Sequence, residues 1–222
     1  MRRTGVGVAQ PAYRERTLST PRPDVFGPPS PQRQLPTRSQ SVAGPHRPAW
    51  LFVAAHGGSG ATVLSRLSHR PWGPCGPAEK VTSGLGPQPV DYPTFGMNAG
   101  RAWPDPALEP TEIVIVVCRT SMAGLAWARD AAAQYLSGGA PHGLRLIGVV
   151  AVADQPGRLP PPLAAARGLL AGAFPHTWHV PYVPAYRLLT GLPDENPPPV
   201  HPGVADVLAA IRCTVTQEGQ HS

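Results

Sequence analysis

Two nearly continuous apolar runs, at residues 113–117 and 144–152, lie on either side of an alanine-rich segment. Short runs of β-branched residues without polar alternation are typical of strands buried on both faces of a parallel sheet. The alanine-rich segment predicts a helix that is capped by Thr120 or Ser121 and continues to about Leu136. Parallel strands need a crossover of this kind, so the unit predicts an α/β fold with a three-layer parallel sheet.

The same alternation of apolar runs and helical segments continues in both directions along the chain. Strands are predicted at 50–55 and 176–183, and helices at 61–67, at 160–172 and in the segment with the apolar stripe Val204, Val207, Leu208 and Ile211. Ligands of open parallel sheets bind at the carboxyl ends of the strands. The turns that follow the predicted strands are therefore the first candidates for a functional site.

The charge of the chain is concentrated in its first part. The net charge of +6 equals that of residues 1–47, which combine eight arginines and two acidic residues with eight prolines and little apolar clustering. Such a segment cannot bury enough apolar surface to offset its ordering entropy. We therefore predict a disordered leader, with weak electrostatic contact to nucleic acid or an anionic surface. The neutral remainder excludes an evenly basic nucleic-acid-binding domain.

With 31 prolines and 24 glycines, the chain lies near the range of low-complexity sequences, so we expect one globular domain beside unstructured segments. We place a P-loop-like domain at residues 48–213, interrupted by a Pro/Gly-rich insert at about 70–111 and followed by a flexible tail at 214–222. No apolar run is long enough to form a transmembrane segment. The three cysteines lack CxxC spacing, which favours a cytoplasmic protein without disulfides or a metal site.

One glycine-rich segment connects the first predicted strand to the first predicted helix. It reads His56-Gly57-Gly58-Ser59-Gly60-Ala61-Thr62. Glycines allow backbone N–H groups to converge on an anion, and the N-terminus of the following helix adds its dipole. The order of strand, glycine-rich loop and helix therefore predicts a phosphate-binding loop.

This loop resembles that of the ParA/MinD branch of P-loop ATPases, which reads Lys-Gly-Gly-x-Gly-Lys-Thr. The glycines and the threonine match, at Gly57, Gly58, Gly60 and Thr62. His56 and Ala61 stand where that family has lysines. The resemblance covers roughly residues 50–190, and the chain also looks like an uncharacterised actinobacterial group with a His-Gly-Gly-x-Gly loop and a segment like residues 99–104.

The resemblance implies ATP with magnesium as the cofactor of residues 57–62, with Thr62 contacting the metal only when magnesium nucleotide is bound. Asp154, after a strand that looks like the one leading to the family's base-binding position, is a further nucleotide-binding candidate. Its alternative is a plain turn, because Asp154, Pro156 and Gly157 together favour one. The family's acidic switch residue has only Asp91 as a nearby candidate.

The absence of both lysines of the resembled loop determines what we predict about ATP hydrolysis. Ala61 cannot contact the β- and γ-phosphates as a cation, and Lys80, the single lysine, lies far along the chain. We therefore expect a pseudo-ATPase, a binding or regulatory module without efficient hydrolysis that acts through a protein partner, with homodimerisation as a further expectation. The alternative is a functional ParA/MinD-like ATPase that positions DNA or another cargo, with Arg101 or Arg119 supplying the charge.

Two further interpretations use other side chains. Ser59 could be the nucleophile of a serine hydrolase, since its surroundings approach the G-x-S-x-G elbow, with His176, His179 or His201 as the base. His176 and His179 could also suggest a metal site, but residues three apart on a strand point to opposite faces. We therefore predict a surface pair of histidines rather than metal ligands.

Overall fold

The computed structural model describes residues 30–41, 48–69, 95–187 and 200–219. Its strands are β1 (Trp50–Ala54), β2 (Gly96–Gly100), β3 (Ile113–Arg119), β4 (Arg145–Val152) and β5 (His176–Val180). Its α-helices are α1 (Ala61–Ser68), α2 (Met122–Leu136), α3 (Pro161–Ala173), α4 (Pro184–Arg187) and α5 (Pro202–Gly219), and a 3-10 helix spans Pro31–Arg33. The described strands form one parallel sheet in the order β2-β1-β3-β4-β5.

Helices cover both faces of this sheet. On one face, Val114 of β3 belongs to an apolar cluster with Leu125 of α2 and Leu170 of α3. On the other face, Ile115 belongs to a second cluster with residues of α1 and with Leu208 of α5. Neighbouring residues of β3 thus face opposite layers, as the pleat of a strand requires. The α/β fold with a parallel sheet between two helical layers is confirmed.

The central crossover follows the sequence prediction closely. Strands β3 and β4 are almost entirely buried, in agreement with their uniformly apolar sequences. Ser121 is the N-cap of α2, and its hydroxyl accepts a hydrogen bond from the backbone N–H of Gly124 at 3.1 Å. Helix α3 begins with two prolines, where the missing N–H groups cost nothing.

Part of the predicted insert at 70–111 is instead a strand of the sheet. Residues 96–100 pair in parallel with β1 as β2. Gly96 allows this, because a Cβ there would lie 2.0 Å from Nε1 of Trp50. Local propensity disfavours such a glycine-containing strand, so tertiary packing decides its place. Residues 70–94 lie outside the described residues.

Part of the predicted leader at 1–47 is also ordered against the domain, since residues 31–35 pack on α2 and residues 36–41 contact residues 99–109. Leu35 is only 2% exposed, and its backbone N–H and carbonyl both pair with the side-chain amide of Gln134 at 2.9 Å. Arg33 forms an ion pair of 2.9 Å with the buried carboxylate of Asp130. The boundary at 47 is therefore wrong for this segment, while residues 1–29 and 42–47 lie outside the described residues.

The predicted flexible tail at 214–222 begins too early. Helix α5 continues to Gly219 because Val215, one turn after Ile211, extends its buried stripe. Residues 220–222 lie outside the described residues. Across the described parts of the chain, none of the helices combines the length and apolar character that crossing a membrane demands.

Candidate functional site

A cavity of about 670 Å³ opens at the carboxyl ends of β1, β3 and β4. All the predicted site residues line it, namely Gly57, Gly58, Ser59, Gly60, Ala61, Thr62 and Asp154. Its volume falls within the range of small-molecule sites, and its position is the usual ligand position of an open parallel sheet. The structure therefore brings the glycine-rich loop and the end of β4 together, as the sequence predicted.

The glycine-rich loop has a backbone shape that depends on glycine. Gly58 has a φ of 73° and Gly60 a φ of 101°, both in the left-handed region that other residues rarely adopt. Gly60 is also the N-cap residue of α1. Gly57 and Gly58 are exposed, and a Cβ on either would meet no atom within 4 Å. The front of the loop is thus open to a ligand.

The backbone amides of this loop differ in whether the described part of the protein offers them an acceptor. The N–H of Ser59 donates to the carbonyl of His56 at 3.3 Å, and that of Ala61 makes a long contact of 3.4 Å with Oγ of Ser59. The N–H groups of Gly58, Gly60 and Thr62 have no hydrogen-bond acceptor among the described residues. Unpaired N–H groups at the start of a helix, next to a cavity, favour an anionic ligand.

His56, which replaces a lysine of the resembled loop, faces the protein. Its Nε2 accepts the backbone N–H of Arg119 at 3.0 Å, and its Nδ1 lies 2.8 Å from the carbonyl oxygen of Gly57. Nε2 must be unprotonated to accept, so Nδ1 carries the proton and donates. This histidine links the loop to the end of β3 by a hydrogen bond. It does not supply the positive charge that a lysine has in the resembled loop.

Arg119 at the end of β3 crosses the loop. Its Nε donates to the carbonyl of Gly58 at 2.9 Å, and its Nη1 donates to the carbonyl of Ala153 at 3.2 Å. Burial and the nearby Arg187 lower the pKa of Arg119 from its ordinary value, while Asp154 acts in the opposite direction. An arginine remains charged under such a shift. The guanidinium is therefore a fixed positive charge on the cavity wall.

Two more arginines line the cavity. Arg187, the last residue of α4, forms an ion pair with the carboxylate of Asp154 and donates to its backbone carbonyl at 2.6 Å. Arg101 follows β2 and lies over the ring of Trp127, with 5.0 Å from Cζ to the ring centroid. The described residues of the lining include three arginines and one aspartate, so the net charge of the lining is +2.

Thr62, the magnesium candidate of the loop, is already engaged. Its Oγ1 accepts a hydrogen bond from Nδ2 of Asn98 at 2.9 Å, and Asn98 lies in β2. The amide of Asn98 thus lies beside the loop, in the strand that follows α1. Asp91, the sequence candidate for that role, and Lys80 lie outside the described residues.

The geometry does not favour the two minor interpretations. Ser59 is only 2% exposed, and the described residues place no histidine within hydrogen-bond distance of its hydroxyl. His176 stacks on Trp178 at a centroid distance of 5.5 Å, and burial is the main cause that lowers the pKa of both His176 and His179. The described residues contain no group of three or more His, Cys, Asp or Glu side chains that could hold a metal ion.

Sequence reasoning missed two site residues. Asn98 belongs to a strand without an apolar run, and Arg187 follows β5 in the short helix α4. The only available signal for Arg187 was its position after a predicted strand, since such turns surround the ligand cavity of a parallel sheet.

Comparison of the chain with protein-family models, curated proteins and solved structures finds no match.

Proposed function

We propose that the protein is an ATPase-like binding module that holds the phosphates of a nucleotide at residues 57–62 without efficient hydrolysis. The observation that supports this most is the open glycine-rich loop beneath a cavity with two net positive charges. Phosphate is the common biological anion that uses both loop amides and arginines. The resemblance to the ParA/MinD branch adds the nucleotide to this proposal.

The absence of efficient hydrolysis follows from the cations near the loop. Ala61 supplies no cation, and His56 is turned toward β3. Arg119 is held by the carbonyls of Gly58 and Ala153, so it cannot follow a phosphate as charge moves during the reaction. Loss of a positioned transition-state cation costs orders of magnitude in rate. A module of this kind would act through a protein partner that senses the bound nucleotide.

The test combines equilibrium titration with ATP and a measurement of phosphate release. We expect saturable binding by the parent chain and phosphate release no faster than in a buffer control. Ala61→Lys restores the loop lysine and is the matched variant for turnover. Absence of ATP binding, or phosphate release by the parent that exceeds the buffer control and matches that of the Ala61→Lys variant, would contradict the proposal.

A working ATPase is the second candidate, supported by Arg101. This arginine lines the cavity against the Trp127 ring rather than a carboxylate, so its guanidinium has donors to offer a phosphate. If Arg101 replaces the loop lysine, the parent should turn over ATP and Arg101→Gln should abolish turnover while leaving unfolding unchanged. The binding-module proposal expects no turnover in either protein.

A further inference from the structure

We infer that the cavity binds its phosphate ligand without a divalent metal ion, because three arginines of its lining supply positive charge and its one described carboxylate is paired with one of them. The inference rests on the proposed function, since it concerns the ligand of the same cavity. It departs from the cofactor that the family resemblance implies, which is ATP with magnesium.

The oxygen donors beside the loop do not fit a magnesium ion. Magnesium takes carboxylate, hydroxyl and water oxygens in an octahedral arrangement. Among the described residues of the lining, Asp154 is the only carboxylate, and it is paired with Arg187. The hydroxyl of Thr62 accepts a hydrogen bond from Asn98 at 2.9 Å. A metal would have to displace Arg187 to gain the carboxylate of Asp154, and the hydroxyl of Thr62 has only one lone pair left to offer.

The arginines fit a phosphate much better than a metal. Their guanidinium groups bind phosphate oxygens through two parallel N–H donors. Arg119 and Arg187 are held in place before any ligand arrives, by the backbone carbonyls of Gly58, Ala153 and Asp154. Arg101 is held over Trp127. Such an arrangement attracts a multiply charged phosphate and repels a second cation.

Asp154 then acts as an internal competitor rather than as a ligand. Its carboxylate holds Arg187 beside the cavity, in the way that a phosphate oxygen would. Removing the negative charge should free Arg187 for the phosphate. Asp154→Asn is therefore expected to tighten binding, whereas loss of a metal ligand or a base contact would weaken it.

The experiment is calorimetric titration of the full chain with ATP, once with magnesium chloride and once with EDTA. We expect the affinity for ATP in EDTA to equal the affinity in magnesium or to exceed it by up to about threefold. The reason is that free ATP carries more negative charge than ATP bound to magnesium. Arg187→Gln and Arg101→Gln should each weaken binding about tenfold. Arg158→Gln removes the same charge from an exposed position outside the lining and should change little.

The outcomes separate this inference from the proposed function. Binding that magnesium strengthens more than about tenfold, or that Asp154→Asn weakens, overturns the metal-free inference and leaves nucleotide binding in place. No binding in either buffer overturns both. Binding in EDTA that neither arginine variant weakens also overturns the inference, since the arginines would then not hold the phosphate.

Discussion

The imidazole Nε2 of His56 accepts the backbone N–H of Arg119 at 3.0 Å, which joins the glycine-rich loop to the end of β3. The other ring nitrogen lies 2.8 Å from the carbonyl of Gly57. Both nitrogens are thus used within the protein. His56 therefore has a structural role, and the positive charge of the cavity comes from arginines on three other segments.

Replacing His56 by lysine should destabilise the fold, although lysine is what the resembled loop contains. A lysine ammonium cannot accept a hydrogen bond, so the N–H of Arg119 loses its partner. We expect the free energy of unfolding to fall by about 1–3 kcal/mol in denaturant titration. His142→Lys, at an exposed turn position, is the control and should have little effect. Equal stability of both variants would show that the bridge contributes nothing.

Gly124 should be intolerant of alanine because of the same junction. A Cβ there would lie 2.4 Å from the carbonyl oxygen of Arg119 and 2.8 Å from Nε2 of His56. We expect Gly124→Ala to lower the free energy of unfolding by about 1–3 kcal/mol. Gly168→Ala in α3 meets no atom within 4 Å and should raise it by about 0.5–1 kcal/mol, because alanine is the better helix former. Shifts of the same sign would contradict this packing.

The segment 30–41 should contribute to stability through Leu35. This side chain is 2% exposed, whereas Leu108 is 45% exposed, so the same substitution can be compared in two environments. We expect Leu35→Ala to cost about 2–5 kcal/mol in denaturant titration, and Leu108→Ala about 0.5 kcal/mol or less. A small effect at Leu35 would mean that the segment does not pack on α2 in solution.

Stability should fall at alkaline pH because of Cys118. Burial raises the pKa of this thiol to about 12, whereas an unfolded thiol has a pKa of about 8.5. Between these values the unfolded state releases a proton that the folded state retains, so unfolding becomes easier by up to about 1.4 kcal/mol per pH unit. Cys118→Ala should show a shallower decline in denaturant titrations between pH 8 and 10. Identical pH profiles would contradict the buried, protonated thiol.

The sheet was predictable where local sequence and tertiary packing agree. Strands β3 and β4 are buried on both faces, so their apolar sequences identify them. β2 gives no such signal, because the ring of Trp50 leaves no room for a Cβ at Gly96, and the N–H of Gly96 donates to the Ser68 hydroxyl at 2.9 Å. Leu35 is likewise fixed by Gln134, a partner 99 positions away. No local pattern encodes contacts of this kind.

The candidate functional site, like the sheet, was predictable from the sequence only in part. The loop at 57–62 is contiguous, so its glycine spacing and position after a strand were sufficient to locate it. Its chemical character depends on side chains from separate segments, such as Asn98 beside Thr62 and Arg187 beside Asp154. Their meeting requires the whole sheet, so the sequence could place the glycine-rich loop at the end of a strand but not the groups that surround it.

Binding of an anion at the open loop can be tested at Gly57. A Cβ there meets no atom within 4 Å, and the residue is not among those with positive φ, so both alanine and aspartate should fit. In calorimetric titration with ATP, Gly57→Ala should bind within about threefold of the parent. Gly57→Asp should bind more than about tenfold more weakly, because its carboxylate repels the phosphates. Equal affinity of all three proteins, or a parent that does not bind ATP, would contradict the account.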